Sequence, residues 1–220
     1  MNNYPIMFDL DGTLFQAHIL SLPAYKGAFT SLFQRGLVVK EPTDQEITGI
    51  YGMTDAEIWQ KLLPGASEEL RQEASRLYFQ LELERMEEGA GEIYPRALET
   101  LAQLAERGHP LYVVSNGGEM YVKEVCIGFG LSRHLKGIYS AGEFATRSKD
   151  QLLTRAIQDH NLPRGLMVGD RCSDIAAGKA NGFVTVGCTY GYSHRQELAD
   201  ADYLIDSIEE IVALAGRELF

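Results

Sequence analysis

Short apolar segments alternate with helical stretches through the second half of the chain, and this alternation is the strongest limit on its fold. One apolar segment lies near the start of the chain, at residues 6–8. Five more follow in the second half, at residues 110–114, 137–140, 165–169, 184–186 and 203–205. Parallel strands need helical crossovers of this kind, and those helices cover both faces of the sheet. The sequence therefore predicts an α/β protein with a mainly parallel sheet core and helices on both faces.

A long helical block interrupts this alternation directly after the first strand. The apolar spacing predicts helices over about residues 21–36, 43–62 and 66–88. In the last of them, the apolar residues fall on one face and the glutamates, including Glu82, are interpreted as a solvated face. The predicted organisation is a core made of residues 1–15 and 92–220, with residues 16–91 inserted as a helical domain.

Acidic and polar side chains follow three of the predicted strands. Asp9 and Asp11 follow the first strand, Ser115 and Asn116 follow the second, and Asp170 follows the strand at residues 165–169. Because ligands of parallel sheets bind at the carboxyl ends of the strands, these residues are expected to share one edge. Desolvating a carboxylate costs several kcal/mol unless a cation or donor compensates it, so this edge predicts a metal site or a chemical role.

The first acidic segment does not fit a calcium-binding loop. Such a loop needs Gly at its sixth position and Glu at its twelfth. Counted from Asp9, Gly12 is the fourth residue and Leu20 is the twelfth. A solvated turn is the alternative for these carboxylates if they are considered without the motifs downstream.

Composition excludes several classes of protein. The 220 residues carry 20 Lys and Arg against 31 Asp and Glu, a net charge of −11, which disfavours binding to nucleic acid. No apolar run is long enough for a membrane span, and the three cysteines form no paired motif for a disulfide or zinc. We therefore expect a cytoplasmic protein without a membrane or nucleic-acid partner.

Four motifs in order resemble those of the haloacid dehalogenase superfamily, in its phosphoglycolate-phosphatase-like branch. They are Asp9-Leu10-Asp11-Gly12-Thr13, Ser115-Asn116, Lys149, and Gly169-Asp170-Arg171-Cys172-Ser173-Asp174. The resemblance covers essentially the whole chain. It implies a Rossmann-like core with an inserted helical cap, and it implies a Mg²⁺-dependent phosphatase acting on a small phosphorylated metabolite. Phosphoglycolate, a sugar phosphate and a nucleoside monophosphate are the leading candidate substrates.

The resemblance also implies a role for each motif residue. Asp9 would be the nucleophile that becomes an aspartyl-phosphate, and Asp11 would be the general acid and base. The Mg²⁺ ligands would be the side chains of Asp9 and Asp170 with the backbone carbonyl of Asp11. The resemblance also implies that Ser115, Asn116 and Lys149 bind the phosphate. Asp174 and Thr13 would support the residues that hold the metal.

Three further points stay open at this stage. Arg147 and Lys136 are possible substitutes for Lys149, and the backbone N–H groups of Asn116 and Gly117 are expected to open toward the phosphate. In addition, Arg96 follows Pro95 where relatives commonly have Gly.

The inserted domain should select the substrate, because the core motifs contact only the phosphate. Gly52, Met53 and Thr54 resemble the cap loop that faces the site, although a simple helix connection explains them equally well. The nearest alternative function is phosphoryl transfer within a sugar, as in a β-phosphoglucomutase. A catalytically silent binding module is disfavoured because Asp9 is present. An NAD-binding protein would need Gly-x-Gly-x-x-Gly after the first strand, which this chain lacks.

Overall fold

The computed structural model describes residues 3–217 and residue 219. The chain forms two compact units, one made of Met1–Phe15 with Ile93–Phe220 and the other of Gln16–Glu92. We call them the core unit and the helical unit. Within the described residues, no helix is both long and apolar enough to cross a membrane. The interpretation of the helical unit as a cap stays a prediction.

Helices and strands alternate as the sequence pattern predicts. In chain order the elements are β1 (Ile6–Phe8), α1 (Ala17–Gln34), α2 (Asp44–Thr48), α3 (Asp55–Leu62), α4 (Glu68–Glu87), α5 (Ala97–Glu106), β2 (Leu111–Ser115), α6 (Glu119–Gly128), β3 (Leu135–Ser140), α7 (Ala141–Phe144), α8 (Lys149–His160), β4 (Leu166–Gly169), α9 (Cys172–Ala180), β5 (Val184–Cys188), β6 (Tyr203–Ile205) and α10 (Glu210–Leu214). Short 3₁₀ turns at Leu131–His134 and Arg195–Leu198 were not predicted.

The core unit is built on one six-stranded sheet with the order β3-β2-β1-β4-β5-β6. All neighbouring strands of this sheet pair in parallel. Phe8 on β1 pairs with Val113 on β2 and with Val168 on β4, so these three strands end at nearly the same level. This confirms the predicted α/β fold class, and it brings the first residues after β1, β2 and β4 to one edge.

The sheet is covered on both faces by apolar residues. One buried cluster joins alternate strand residues such as Met7, Val114 and Met167 to Leu152 and Leu153 of α8. Side chains one position along each strand point to the opposite face, and these include the fully buried Phe8, Val113 and Val168. Continuous apolar burial of this kind is typical of parallel strands with helices on both sides, and it makes the strand ends a rigid base for the site.

The prediction of one helix over residues 43–62 is wrong. The chain forms α2 and α3 there, separated by a turn at residues 49–54. Within this turn Gly52 has a φ of 85°, a left-handed conformation that cannot be part of a continuous α-helix. Thr54 then starts α3, because its backbone N–H and its hydroxyl both donate to Glu57 Oε2, at 2.8 and 2.7 Å. A left-handed glycine and a new capping box therefore outweigh a continuous apolar pattern.

The interpretation of Glu82 as part of a solvated helix face is also wrong. Glu82 on α4 is only 2% exposed, and it accepts a hydrogen bond from the Tyr78 hydroxyl one turn earlier. Tyr78 in turn stacks on Tyr25 of α1, with ring centroids 3.9 Å apart. A phenol donor compensates part of the cost of burying this carboxylate, and α1 packs against α4 at this polar and aromatic cluster.

Arg96 lies at a position whose backbone conformation favours glycine. Arg96 directly precedes α5 and has a φ of 68°, in the left-handed region that favours glycine. A side chain in this conformation costs about 1–2 kcal/mol. The turn is retained because Tyr94 N–H donates to Leu14 O at 2.9 Å, which ties this segment to the end of the first motif.

Candidate functional site

The first motif leaves β1 in a tight turn that places its carboxylates at the edge of the sheet. Asp9 N–H still donates to Val168 O at 2.8 Å, so Asp9 continues the ladder with β4. Gly12 has a φ of 82°, and a Cβ there would lie 2.3 Å from Asp170 Oδ2. Gly12 is therefore required both by the turn and by the close approach of the two acidic loops.

Three carboxylates and one ammonium group form the buried centre of this edge. Asp9, Asp170 and Asp174 each place a carboxylate oxygen within 4.8 Å of the others. Lys149 Nζ lies 2.6 Å from Asp9 Oδ1 and 2.7 Å from Asp174 Oδ1, and all four side chains are buried. Arg147 and Lys136, the two alternatives to Lys149, are exposed. The structure thus brings Lys149 into the cluster although its motif was the least specific.

Burial and mutual repulsion determine the protonation of these groups. Burial raises the pKa of Asp9 to about 7, Asp174 adds to this effect, and Lys149 opposes it. The pKa of Asp170 is also raised, first by burial and then by the charges of Asp9 and Asp174. Burial alone lowers the pKa of Lys149, but Asp174 and Asp9 together raise it above its ordinary value. Lys149 is therefore a permanent cation between two carboxylates.

Asp170 is held by a loop that the sequence reasoning missed. Tyr192 N–H donates to Asp170 Oδ2 at 2.6 Å, and the Tyr190 hydroxyl donates to Thr13 O at 3.0 Å. A Cβ on Gly191 would lie 2.3 Å from Asp170 Cβ and 2.5 Å from Gly12 O. The loop follows β5, the neighbour of β4, so the rule that sites lie after parallel strands could have identified it.

Asp174 reaches the cluster from the first turn of α9. Its Oδ2 accepts a hydrogen bond from Arg171 N–H at 2.9 Å, which leaves Oδ1 for Lys149. A Cβ on Gly169 would lie 2.2 Å from the Asp174 carboxylate. The glycine at the end of β4 therefore allows Asp174 to fold back over the strand.

The second motif lies beside the first, because β2 pairs with β1. Ser115 is buried at the end of β2, and its Oγ accepts a hydrogen bond from Gly117 N–H at 3.1 Å. The expectation that this N–H opens toward a phosphate is wrong, because the short hydroxyl captures the donor two residues ahead. The hydroxyl proton of Ser115 remains able to donate. Asn116 is half-buried at the start of the following turn.

Asp11 has surroundings different from those of Asp9. Its Oδ1 accepts a hydrogen bond of 2.6 Å from the Tyr121 hydroxyl, which belongs to α6. Burial raises the pKa of Asp11 to about 6, while the phenol and Lys149 lower it. Tyr121 was not identified from the sequence, because nothing local marks a contact between residues 110 positions apart.

Thr13 is also fully buried, and its Oγ1 has no hydrogen-bond partner within the described residues.

The three residues proposed for substrate selection belong to the helical unit. Gly52 and Met53 form the turn before α3, and Thr54 caps that helix. These local roles explain the residues without a ligand, and their part in substrate selection stays a prediction.

The chain belongs to the haloacid dehalogenase-like hydrolases, since a model of that family matches residues 6–182. This confirms the resemblance predicted from the four motifs, and with it the assignment of the chain as a hydrolase. The match includes Asp9, Ser115, Lys149 and Asp170 of the core unit and the whole helical unit, and it ends before β5.

Individual relatives indicate the branch of the family. The chain is 27% identical over 214 residues to a phosphoglycolate phosphatase of Vibrio vulnificus, covering 94% of this chain and 93% of the relative. It is 29% identical over 210 residues to a phosphoglycolate phosphatase of Vibrio cholerae, covering 92% of each. A crystal structure described as a predicted phosphoglycolate phosphatase from Haemophilus somnus shares the fold, with a TM-score of 0.84, 21% identity, and coverage of 97% of this chain and 98% of the other. The two Vibrio relatives support the predicted class of phosphoric monoester hydrolase.

Replacing Lys149 with Met should destabilise the protein by about 3 kcal/mol, because it leaves buried carboxylates without their cation. The free energy of unfolding in urea at about pH 8 would measure this loss. The double variant Lys149→Met, Asp174→Asn should lose less than the sum of the two single variants, since Lys149 contacts Asp174 directly. Lys136→Met, which changes an exposed lysine, is the matched control. Additive losses would contradict a coupled charge cluster.

Proposed function

We propose that this chain is a Mg²⁺-dependent phosphatase that hydrolyses a small phosphomonoester through an aspartyl-phosphate on Asp9. The observation that carries the proposal is the contact of Lys149 with both Asp9 and Asp174 at the point where Asp170 also converges. A carboxylate nucleophile needs positive charge beside it to accept a phosphate dianion. Four motifs from separate parts of the chain provide that environment at one edge of the sheet.

The composition of the site fits Mg²⁺. Three buried carboxylates lie together and Lys149 contacts two of them, so negative charge remains in excess in this cluster unless protons or a cation neutralise it. Asp170 Oδ1 is a buried carboxylate oxygen that accepts no hydrogen bond within the described part of the chain. The donors are hard oxygen atoms, which Mg²⁺ prefers. Asp9, Asp170 and the backbone carbonyl of Asp11 would hold the ion.

In the first half-reaction, Asp9 attacks the phosphorus atom of the substrate. A bond forms between its carboxylate oxygen and phosphorus while the bond from phosphorus to the leaving oxygen breaks. Asp11 gives its proton to the leaving oxygen, and its pKa of about 6 makes the protonated form accessible near neutral pH. Bound Mg²⁺ would supply charge neutralisation between the carboxylate and the phosphate. The Ser115 hydroxyl and Lys149 stabilise the transferring phosphoryl oxygens.

In the second half-reaction, water hydrolyses the aspartyl-phosphate. Asp11, now a carboxylate, takes a proton from the water as its oxygen attacks phosphorus. The bond between phosphorus and Asp9 breaks, which releases inorganic phosphate and restores both aspartates. One residue thus serves as acid and then as base, whereas Lys149 keeps its charge throughout because its pKa is raised.

The helical unit is proposed to be the inserted cap that selects the substrate, with residues 16–91 as its extent and Gly52, Met53 and Thr54 among its contacts. Phosphoglycolate is the first candidate substrate, supported by the names of the Vibrio relatives. A sugar phosphate or nucleoside monophosphate is the next. The proposed setting is the cytoplasm, and a nucleic-acid or membrane partner is not expected.

Asp9→Asn should reduce the hydrolysis of p-nitrophenyl phosphate at least about a thousandfold, because an amide cannot form the phosphoenzyme. Initial rates of p-nitrophenol release with saturating Mg²⁺ would measure this loss, and a chelator should abolish the wild-type rate. Asp200→Asn, which changes an exposed aspartate, should retain full activity and serves as control. Wild-type activity in Asp9→Asn would overturn the mechanism.

Mg²⁺ should raise the midpoint of thermal unfolding by about 5 °C at a hundredfold excess over its dissociation constant. Asp170→Asn should lose this rise while being no less stable without added metal, because it removes one of three repelling carboxylates.

Since the pKa of Asp9 is raised from 3.8 to about 7, the cation-free protein loses stability as pH rises through that window. The rise caused by Mg²⁺ should therefore be larger near pH 8 than near pH 5. Scanning calorimetry with KCl-matched ionic strength tests this, and an equal rise in Asp170→Asn would contradict it.

A panel of phosphomonoesters should distinguish the phosphatase from the mutase. We expect phosphate release to exceed isomerisation for every substrate, with phosphoglycolate giving the highest kcat/KM. Glucose 1-phosphate is the critical substrate, and the measurement is the ratio of inorganic phosphate to glucose 6-phosphate. A ratio below one would favour phosphoryl transfer within a sugar instead.

A further inference from the structure

The Tyr121 hydroxyl donates a hydrogen bond of 2.6 Å to Asp11 Oδ1, and none of the four motifs accounts for this contact. We propose that Tyr121 is a positioning residue for Asp11: its phenol occupies Oδ1, so that Oδ2 is the oxygen that carries the proton to the leaving group and takes it back from water. This inference rests on the proposed function, and it adds the residue that orients the acid and base.

The packing around Tyr121 restricts its side chain, as a positioning role requires. It lies in the first turn of α6, and its side chain is only 7% exposed. A Cβ on Gly117 would lie 3.1 Å from Tyr121 Cδ1 and 2.9 Å from Val122 Cγ2. The glycine thus lets the loop after β2 lie directly against the tyrosine ring, which limits the positions open to the phenol.

The start of α6 is also tied to the neighbouring segment that follows β3. A Cβ on Gly142 would lie 2.6 Å from Glu119 N, and Gly142 N–H donates to Gly117 O at 3.2 Å. Lys123 on α6 pairs with Glu119 at 2.9 Å and with Glu143 at 3.0 Å. Two close backbone approaches therefore fix the helix end from which Tyr121 reaches Asp11.

The hydrogen-bonding capacity of the two groups assigns the proton. A carboxylic acid carries one proton on one oxygen, and a phenol near neutral pH is both protonated and able to donate. In the arrangement that the structure shows, Tyr121 donates to Oδ1, so a proton on Asp11 lies on Oδ2. The exchangeable proton is then confined to Oδ2. Without the phenol, the proton can occupy either oxygen and the carboxyl group can rotate.

The effect of this positioning on the rate depends on how strongly the leaving group requires a general acid. An alkoxide is a much stronger base than p-nitrophenolate, so its departure depends on a correctly placed proton, whereas p-nitrophenolate leaves readily without one. The ratio kcat/KM reports the steps up to transfer of the phosphoryl group to Asp9, whichever half-reaction limits kcat. Loss of positioning should therefore depend on the leaving group.

The test is Tyr121→Phe, assayed by kcat/KM with p-nitrophenyl phosphate, phenyl phosphate and phosphoglycolate under saturating Mg²⁺. We expect about a tenfold loss with the alkyl phosphate, which is part of the 10²- to 10⁴-fold contribution of a general acid, and less than about twofold with p-nitrophenyl phosphate. Tyr139→Phe is the matched control, because it removes a phenol that donates to Asp159 Oδ2 at 3.2 Å. It should leave the ratios between substrates unchanged.

A second comparison uses Asp11→Asn, which has no proton to position. In that background Tyr121→Phe should cause no further loss that depends on the leaving group. An equal fractional loss for all three substrates, or the same dependence in the Asp11→Asn background, would overturn the inference in favour of a structural role. If the wild type hydrolyses none of the three, the proposed function fails first and this inference fails with it.

Discussion

The close contact between Lys149 and two buried carboxylates is the interaction on which the candidate site depends. Asp9 and Asp174 lie within 2.7 Å of the ammonium group, and Asp170 completes the acidic cluster. Such a cluster is unfavourable in a low-dielectric interior unless opposite charge is nearby. Lys149 supplies this opposite charge. Gly12 and Gly191 let separate loops approach Asp170 without a clash, so the cluster can be closely packed.

The two aspartates of the first motif differ through their neighbours. Asp9 faces the permanent charge of Lys149 and the repulsion of Asp174, and this environment suits a metal-assisted nucleophile. Asp11 faces a neutral phenol, and its pKa of about 6 lets it hold and release a proton. Residues with the same chemistry, two positions apart, are thus given different electrostatic surroundings by side chains from α6 and α8.

Much of the fold could be predicted because its signals are local. The strands Ile6–Phe8 and Tyr203–Ile205 lie where the apolar pattern places them, and the strand-end rule brought Asp9 and Asp170 together. The errors at residues 43–62 and at Glu82 have local and non-local causes respectively. The prediction of one helix over residues 43–62 missed the local capping pair Thr54 and Glu57. The burial of Glu82 depends on tertiary packing, which the helix pattern does not show, and on the hydrogen bond from Tyr78.

The sequence by itself determined the α/β class, the family and the identity of the acidic motif residues, because strand periodicity and motif order are properties of the linear chain. Only the tertiary structure decided that Lys149, and not Lys136 or Arg147, contacts Asp9. It also decided that Gly117 N–H is held by Ser115, and that Tyr121 holds Asp11. Contacts such as the last two depend on distances of a few tenths of an ångström between packed elements, and a residue pattern along one chain does not contain them.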